Sequence, residues 1–199
     1  MPASVRFRIV LIVALYAGAT ALAGAAAYIP KAFARAVPSL RVVAFPVLLP
    51  TVFDGIDLDR DRIYAPADAS PHHYSVQVNF APDCNGANVC SAGSIEAYDA
   101  AYRRAHPNLV EPATPRAPGT DDRASIRDHH MILDLPVPLA RALTGFYTEA
   151  VSGADDGGNS DLRWNDRGIE YELATRISSR AHLVRIANSA IRNGPIFSR

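Results

Sequence analysis

Two histidine doublets, His72-His73 and His129-His130, are the side chains of this chain best suited to a transition metal, since neutral imidazole is a common ligand for zinc and copper. Each doublet stands just before a strand-like stretch. Adjacent residues of a strand point to opposite faces, so each doublet offers one imidazole per face, and two ligands do not make a site. Asp57, Asp59, Asp61 and Asp68 fall at positions one, three, five and twelve of a loop, the oxygen spacing that surrounds calcium. Arg62 stands where that loop needs glycine for its sharp bend, and it adds a positive charge, so the pattern reads as a solvated acidic loop. Asp155, Asp156, Gly157, Gly158 and Asn159 have the composition of any flexible turn before a hairpin.

Cys84 and Cys90 are the only cysteines, and both lie in one connection rich in Asn and Gly. A redox pair has two residues between its cysteines where this pair has five, and zinc wants four ligands. A disulfide stapling the loop is the economical reading. No nucleophile elbow and no phosphate-cradling glycine loop occurs. Paired carboxylates of the glycosidase kind leave no local signature, because they are assembled in space. We therefore assign no catalytic residue, no metal ligand and no cofactor from the sequence.

With 199 residues, 49% hydrophobic and 20% charged, the chain has room for one globular domain and an appendage. Formal net charge is zero, so no whole-protein field draws nucleic acid or an anionic membrane surface. Ile9 to Ile29 is uncharged, and Arg6 and Arg8 precede it. That length spans a bilayer core as a helix, while its Ala- and Gly-rich second half has the texture of a secretory signal. Ala25-Ala26-Ala27 and Ala32-Phe33-Ala34 both fit small-x-small cleavage. Residues 1–34 are thus expected to be a signal peptide or membrane anchor, the sole membrane contact, and 35–199 one exported α+β domain in the cell envelope.

The elements that must position any site are clearest in Asp161 to Pro195. Leu162 and Trp164 alternate with Asp161 and Arg163, and Ile169, Tyr171 and Leu173 alternate with Glu170 and Glu172, the period of half-buried strands. A turn of Asn165 to Gly168 predicts that Trp164 faces Ile169, Arg163 faces Glu170 and Leu162 faces Tyr171. A helix then starts after Ser178 or Ser179, buries Leu183, Ile186, Ala187, Ala190 and Ile191, exposes Arg180, Arg185, Asn188 and Arg192, and stops at Gly194-Pro195.

Upstream, Tyr74 to Phe80 predicts a strand with Tyr74, Val76, Val78 and Phe80 on one face, and Ser94 to Tyr98 predicts another. Val42 to Phe53, broken by Pro46 and Pro50, suits an edge strand or an extended segment packed on the domain rather than a central strand. Residues 103–128 carry four prolines and read as a mobile insertion. Met131 to Leu135 is a short strand ended by Pro136 and Pro138, Leu139 to Leu143 a helical turn, and Gly145 to Val151 a further strand. The expected architecture is an antiparallel, meander-like sheet with the C-terminal helix on one face.

Trp164, a turn ending in Gly168, Tyr171 three residues on, and a helix carrying Ala187 and Ser189 together resemble the closing segment of uncharacterised bacterial envelope domains. The likeness covers about a fifth of the chain and implies fold and compartment, with no activity to carry over. The functional expectation is a non-enzymatic cell-envelope protein that binds a partner or small ligand. The alternatives are an exported hydrolase and metal handling through the histidines. A deep cleft of convergent polar groups would favour the hydrolase; an open apolar groove between helix and sheet would favour binding.

Overall fold

The computed structural model describes residues 26–84, 89–107, 134–149, 159–176 and 179–197. Seven strands form one sheet: β1 (Ala67–Ser70), β2 (His73–Asn79), β3 (Ser91–Tyr98), β4 (Leu135–Pro138), β5 (Thr144–Thr148), β6 (Asn159–Asp166) and β7 (Ile169–Arg176). Their spatial order is β1-β2-β3-β7-β6-β5-β4, and every pairing is antiparallel. The sheet is therefore two meanders joined where β3 meets β7, rather than a single one. Short helices α1 (Val37–Leu40) and α2 (Ala100–Ala105) accompany it, and α3 (Arg180–Asn193) closes the fold. Within the range expected to be an insertion, Arg103 to Ala105 lies in α2, which Asp99 caps by accepting from the amides of Ala101 and Tyr102. Residues 108–128 lie outside the described part, as do the N-terminal run to Ala25, His129-His130 and the Asp155-Asp156 turn.

The β6–β7 hairpin corrects the expected register. Trp164 faces Tyr171, Arg163 faces Glu172 and Leu162 faces Leu173, because the loop is only Arg167 and Gly168. Both residues have positive φ, 56° and 86°, which is the mirror-image turn whose twist matches paired strands. Asn165 and Asp166 belong to the strand, and Asn165 Oδ1 accepts from the Gly168 amide at 3.0 Å. The error was two residues, an even number, so every side chain stays on the face expected of it.

On the first face, Tyr74, Val76, Val78, Ile95, Ala97, Leu162, Trp164, Tyr171 and Leu173 are buried. Helix α3 covers them with Leu183, Ile186, Ala187, Ala190 and Ile191, the stripe that its periodicity demands. Ser179 caps its start, accepting from the His182 amide, and Gly194 with φ of 79° ends it. The segment 42–53 lies extended over the same face and buries Val43, Phe45, Val47, Leu48, Leu49 and Phe53. The space left between α3, this segment and the sheet is about 10 Å³, room for about one water at most. No apolar groove opens there.

Two local readings change. Phe80 is exposed instead of sharing the buried face. Leu135–Pro138, prolines included, is strand, since β4 is an edge and needs no amide on its outer side. Gly93 must lack a side chain, because a Cβ there would come within 2.3 Å of the Ala174 carbonyl oxygen on β7. Cys84 and Cys90 are joined in a disulfide, with Cα atoms 5.6 Å apart. Among the described residues no helix is long and apolar enough to cross a membrane.

Candidate functional site

Two polar regions are candidates: the second face of the sheet, and a hollow at the β1 edge. On the second face, pairing lines up Ser75, Glu96, Glu172 and Arg163 across four strands, with His73, Tyr98, Glu170 and Asn165 in the next row. Such a face has the groups of an acid hydrolase. Its groups are occupied with one another, however. Glu170 accepts from Arg103 at 2.9 Å and from Asn165 at 3.1 Å, Glu96 meets His73 Nε2 at 2.7 Å, and Arg163 is paired with Asp134. His73, Tyr102 and His106 stack face to face in a column, with centroids 4.4 Å and 4.2 Å apart.

Tyr98 sits among these carboxylates. Burial, then the charges of Glu172, Glu170 and Glu96, push its hydroxyl above the ordinary tyrosine range, against the pull of Arg163. The arrangement is that of a satisfied polar network, which fixes strand order and docks α2. Of the two doublets the described residues include only His72-His73: His72 pairs with Asp99 at 2.7 Å, His73 pairs with Glu96, and among the described residues no three His, Cys, Asp or Glu converge as ligands.

The second region is built by the segment leading into the fold. Residues 31–40 wind helically, and Phe33, Ala36 and Leu40 turn into the core. Helical spacing then aligns Lys31, Arg35 and Ser39 along one opposite row. The acidic loop folds back on itself beside them. Asp57 Oδ1 accepts from the amides of Asp59 and Arg60, both at 3.1 Å, and Asp61 Oδ2 from the Asp57 amide at 2.7 Å. Asp59 accepts from the Lys31 amide at 2.9 Å and from the Tyr28 hydroxyl. That hydroxyl first, and the Lys31 amide next, hold the Asp59 carboxyl below its usual range.

The carboxylates that spell a calcium loop in sequence are thus spent on holding the loop and tying it to residues 28–31. Asp68 stands apart, on β1. What the loop offers outward is Arg60 and Arg62. With Lys31, Arg35, Ser39 and Tyr64 they line an open hollow of about 530 Å³, into which a single carboxylate, Asp61, also projects. Arg60 pairs at its rim with Asp57 at 3.6 Å. Arg62 lies over the Tyr64 ring, 5.7 Å from its centroid, a contact that steadies the guanidinium. Among the described residues none of Lys31, Arg35 or Arg62 has a carboxylate within ion-pair distance.

Pro66, Ala67 and Pro82 also border a second hollow of about 420 Å³, lined by Asp68, Ser75, Gln77 and Asn79. The sequence reading missed this site. The cations come from segments some twenty-five residues apart, so the only local signal was the i, i+4 spacing of Lys31 and Arg35, which straddles the end of the stretch read as a leader, residues 1–34. No protein-family model, no curated protein and no solved structure matches this chain.

Proposed function

We propose that this chain is a non-enzymatic cell-envelope protein that binds a small anionic ligand at the edge of its sheet. The observation that carries the reading is the convergence of Lys31, Arg35, Arg60 and Arg62 on one hollow that holds a single carboxylate. Like charges brought together raise the local potential, and a concave wall concentrates it, so the hollow attracts anions although the chain as a whole is neutral. Arginine supplies planar forks that match carboxylate and phosphate oxygens, and Arg62 is already oriented by Tyr64. A volume of about 530 Å³ is in the range of small-molecule sites.

Among the described residues nothing in the hollow resembles a catalytic pair: its lining has no histidine, no cysteine and one acid. Envelope placement rests on the uncharged run Ile9 to Ile29 behind Arg6 and Arg8, and on the Cys84–Cys90 disulfide, which suits an oxidising compartment. The test is calorimetric titration of the full-length chain in nonionic detergent with citrate and with galacturonate. Saturable binding that weakens as salt rises, and that Arg35→Ala/Arg62→Ala abolishes, supports the reading. No heat with either acid, or binding untouched by the double substitution, overturns it.

A further inference from the structure

We infer that the anion is the phosphodiester headgroup of an anionic phospholipid, in a bilayer entered by the uncharged run just upstream of the fold. The inference rests on the anion-binding reading and names the source of the anion. Ile9 to Ala25 is uncharged and reaches the shortest length that crosses a bilayer core as a helix, roughly 17 residues. From Tyr28 on, the chain belongs to the domain: Asn193 holds the Tyr28 peptide by its amide and by its carbonyl, and Phe33 is fully buried. Only Ala26 and Ala27 separate the run from that anchored peptide. A run retained in the bilayer therefore sets this end of the domain against the membrane surface.

The cationic hollow lies at the same end. Lys31 follows Tyr28 by three residues, a span of at most about 11 Å, and the headgroup layer is itself about 5–8 Å deep. The Tyr28 hydroxyl donates to Asp59, which also accepts from the Lys31 amide at 2.9 Å, so the loop that carries Arg60 and Arg62 is stitched to the same point. Tyr28 is 52% exposed there, and tyrosine is enriched at membrane–water interfaces. Lys31, Arg35, Arg60 and Arg62 are all exposed, against the single carboxylate of Asp61 in the hollow. Clustered basic side chains next to a membrane entry point attract anionic headgroups, over about a Debye length of 8–10 Å. A soluble anion would be served equally by a hollow on any side of the domain; this one lies where the run enters the fold. The inference adds the loop arginines to a membrane contact that the sequence places in residues 1–34 alone.

The experiment is calorimetric titration of the full-length chain in nonionic detergent with dioleoylphosphatidylglycerol in the same micelles, with dioleoylphosphatidylcholine, and with glycerophosphoglycerol, the free headgroup. Phosphatidylglycerol should bind saturably and more weakly as salt rises, and Arg35→Ala/Arg62→Ala, which removes two exposed side chains, should weaken it about tenfold or more. Phosphatidylcholine, whose headgroup has no net charge, should not bind measurably. The free headgroup should bind about tenfold or more weakly than the lipid, because the micelle that holds the run also holds the lipid close. Phosphatidylglycerol binding that is absent, that survives the double substitution, or that phosphatidylcholine or the free headgroup matches overturns this inference, and citrate binding then leaves the anion site standing. Failure of citrate, galacturonate and phosphatidylglycerol alike overturns the anion site itself.

Discussion

The Trp164 indole lies flat against the Tyr171 ring, centroids 5.3 Å apart and planes 11° from parallel, and both are almost wholly buried under α3. The pair are direct cross-strand partners in β6 and β7, and the Tyr171 hydroxyl donates to the Pro46 carbonyl at 2.8 Å. One contact therefore joins the hairpin, the helix and the extended segment. Trp164→Ala should cost about 3–5 kcal/mol, and Trp164→Phe much less, because it keeps a ring on Tyr171. Denaturant melts of the two variants decide; equal losses would mean that a ring kept on Tyr171 contributes nothing.

Ser189 has a task that packing alone would not give it. Its hydroxyl accepts from the Thr51 and Val52 amides at 3.1 and 3.3 Å, and donates to the Ile186 carbonyl at 2.8 Å. Ser189→Ala strands two amides and should lower stability by about 1–3 kcal/mol. Amide hydrogen exchange should speed up at Thr51 and Val52 before it does in β7. Unchanged exchange at those amides would show that the hydroxyl holds nothing.

Tyr74, Tyr98 and Tyr171 carry hydroxyls raised above the usual tyrosine range, in each case chiefly by burial, which disfavours the phenolate. An acid group whose folded value is raised contributes stability that is whole below its unfolded value, about pH 10, and is lost as pH climbs through the folded value. Unfolding should therefore become easier above about pH 10. In an alkaline absorbance titration these three of the eight tyrosines should ionise only as the fold melts. A smooth titration of all eight in folded protein would contradict the burial described here.

Maturation is constrained by the core. Phe33 is fully buried, and Asn193 grips the Tyr28 peptide from both sides, accepting from its amide at 2.9 Å and donating to its carbonyl at 2.7 Å. Cleavage at Ala32-Phe33-Ala34 would cut through that packing, whereas cleavage at Ala25-Ala26-Ala27 would spare it. If a leader is removed, mass spectrometry of the protein from its native host should find the new N-terminus at or before Tyr28. A mature chain beginning beyond Phe33 would overturn this.

Much of the architecture was legible because it is local. Strand alternation in β2, β6 and β7 and the buried stripe of α3 are dictated by periods of 2 and 3.6, and Ser179 and Gly194-Pro195 mark the helix ends. The hairpin register slipped because Asn165 and Asp166, ordinary turn formers, are held in strand by pairing with Glu170 and Ile169. The β3–β7 partnership has no local signature, since it joins segments some seventy-five residues apart. The candidate site was illegible for the same reason: the eye counts Asp57, Asp59 and Asp61 as ligands, while the fold turns them onto backbone amides and leaves Arg60 and Arg62 outside.

The central claim is that Lys31, Arg35, Arg60 and Arg62 together hold an anion, and the most direct measurement is NMR of the arginine Nε–H signals of the full-length chain during a galacturonate titration. Saturable shifts at Arg35, Arg60 and Arg62, with the other arginines unmoved and a midpoint below about 1 mM, are the predicted result. Shifts spread evenly over all arginines, or none at these three, would contradict it.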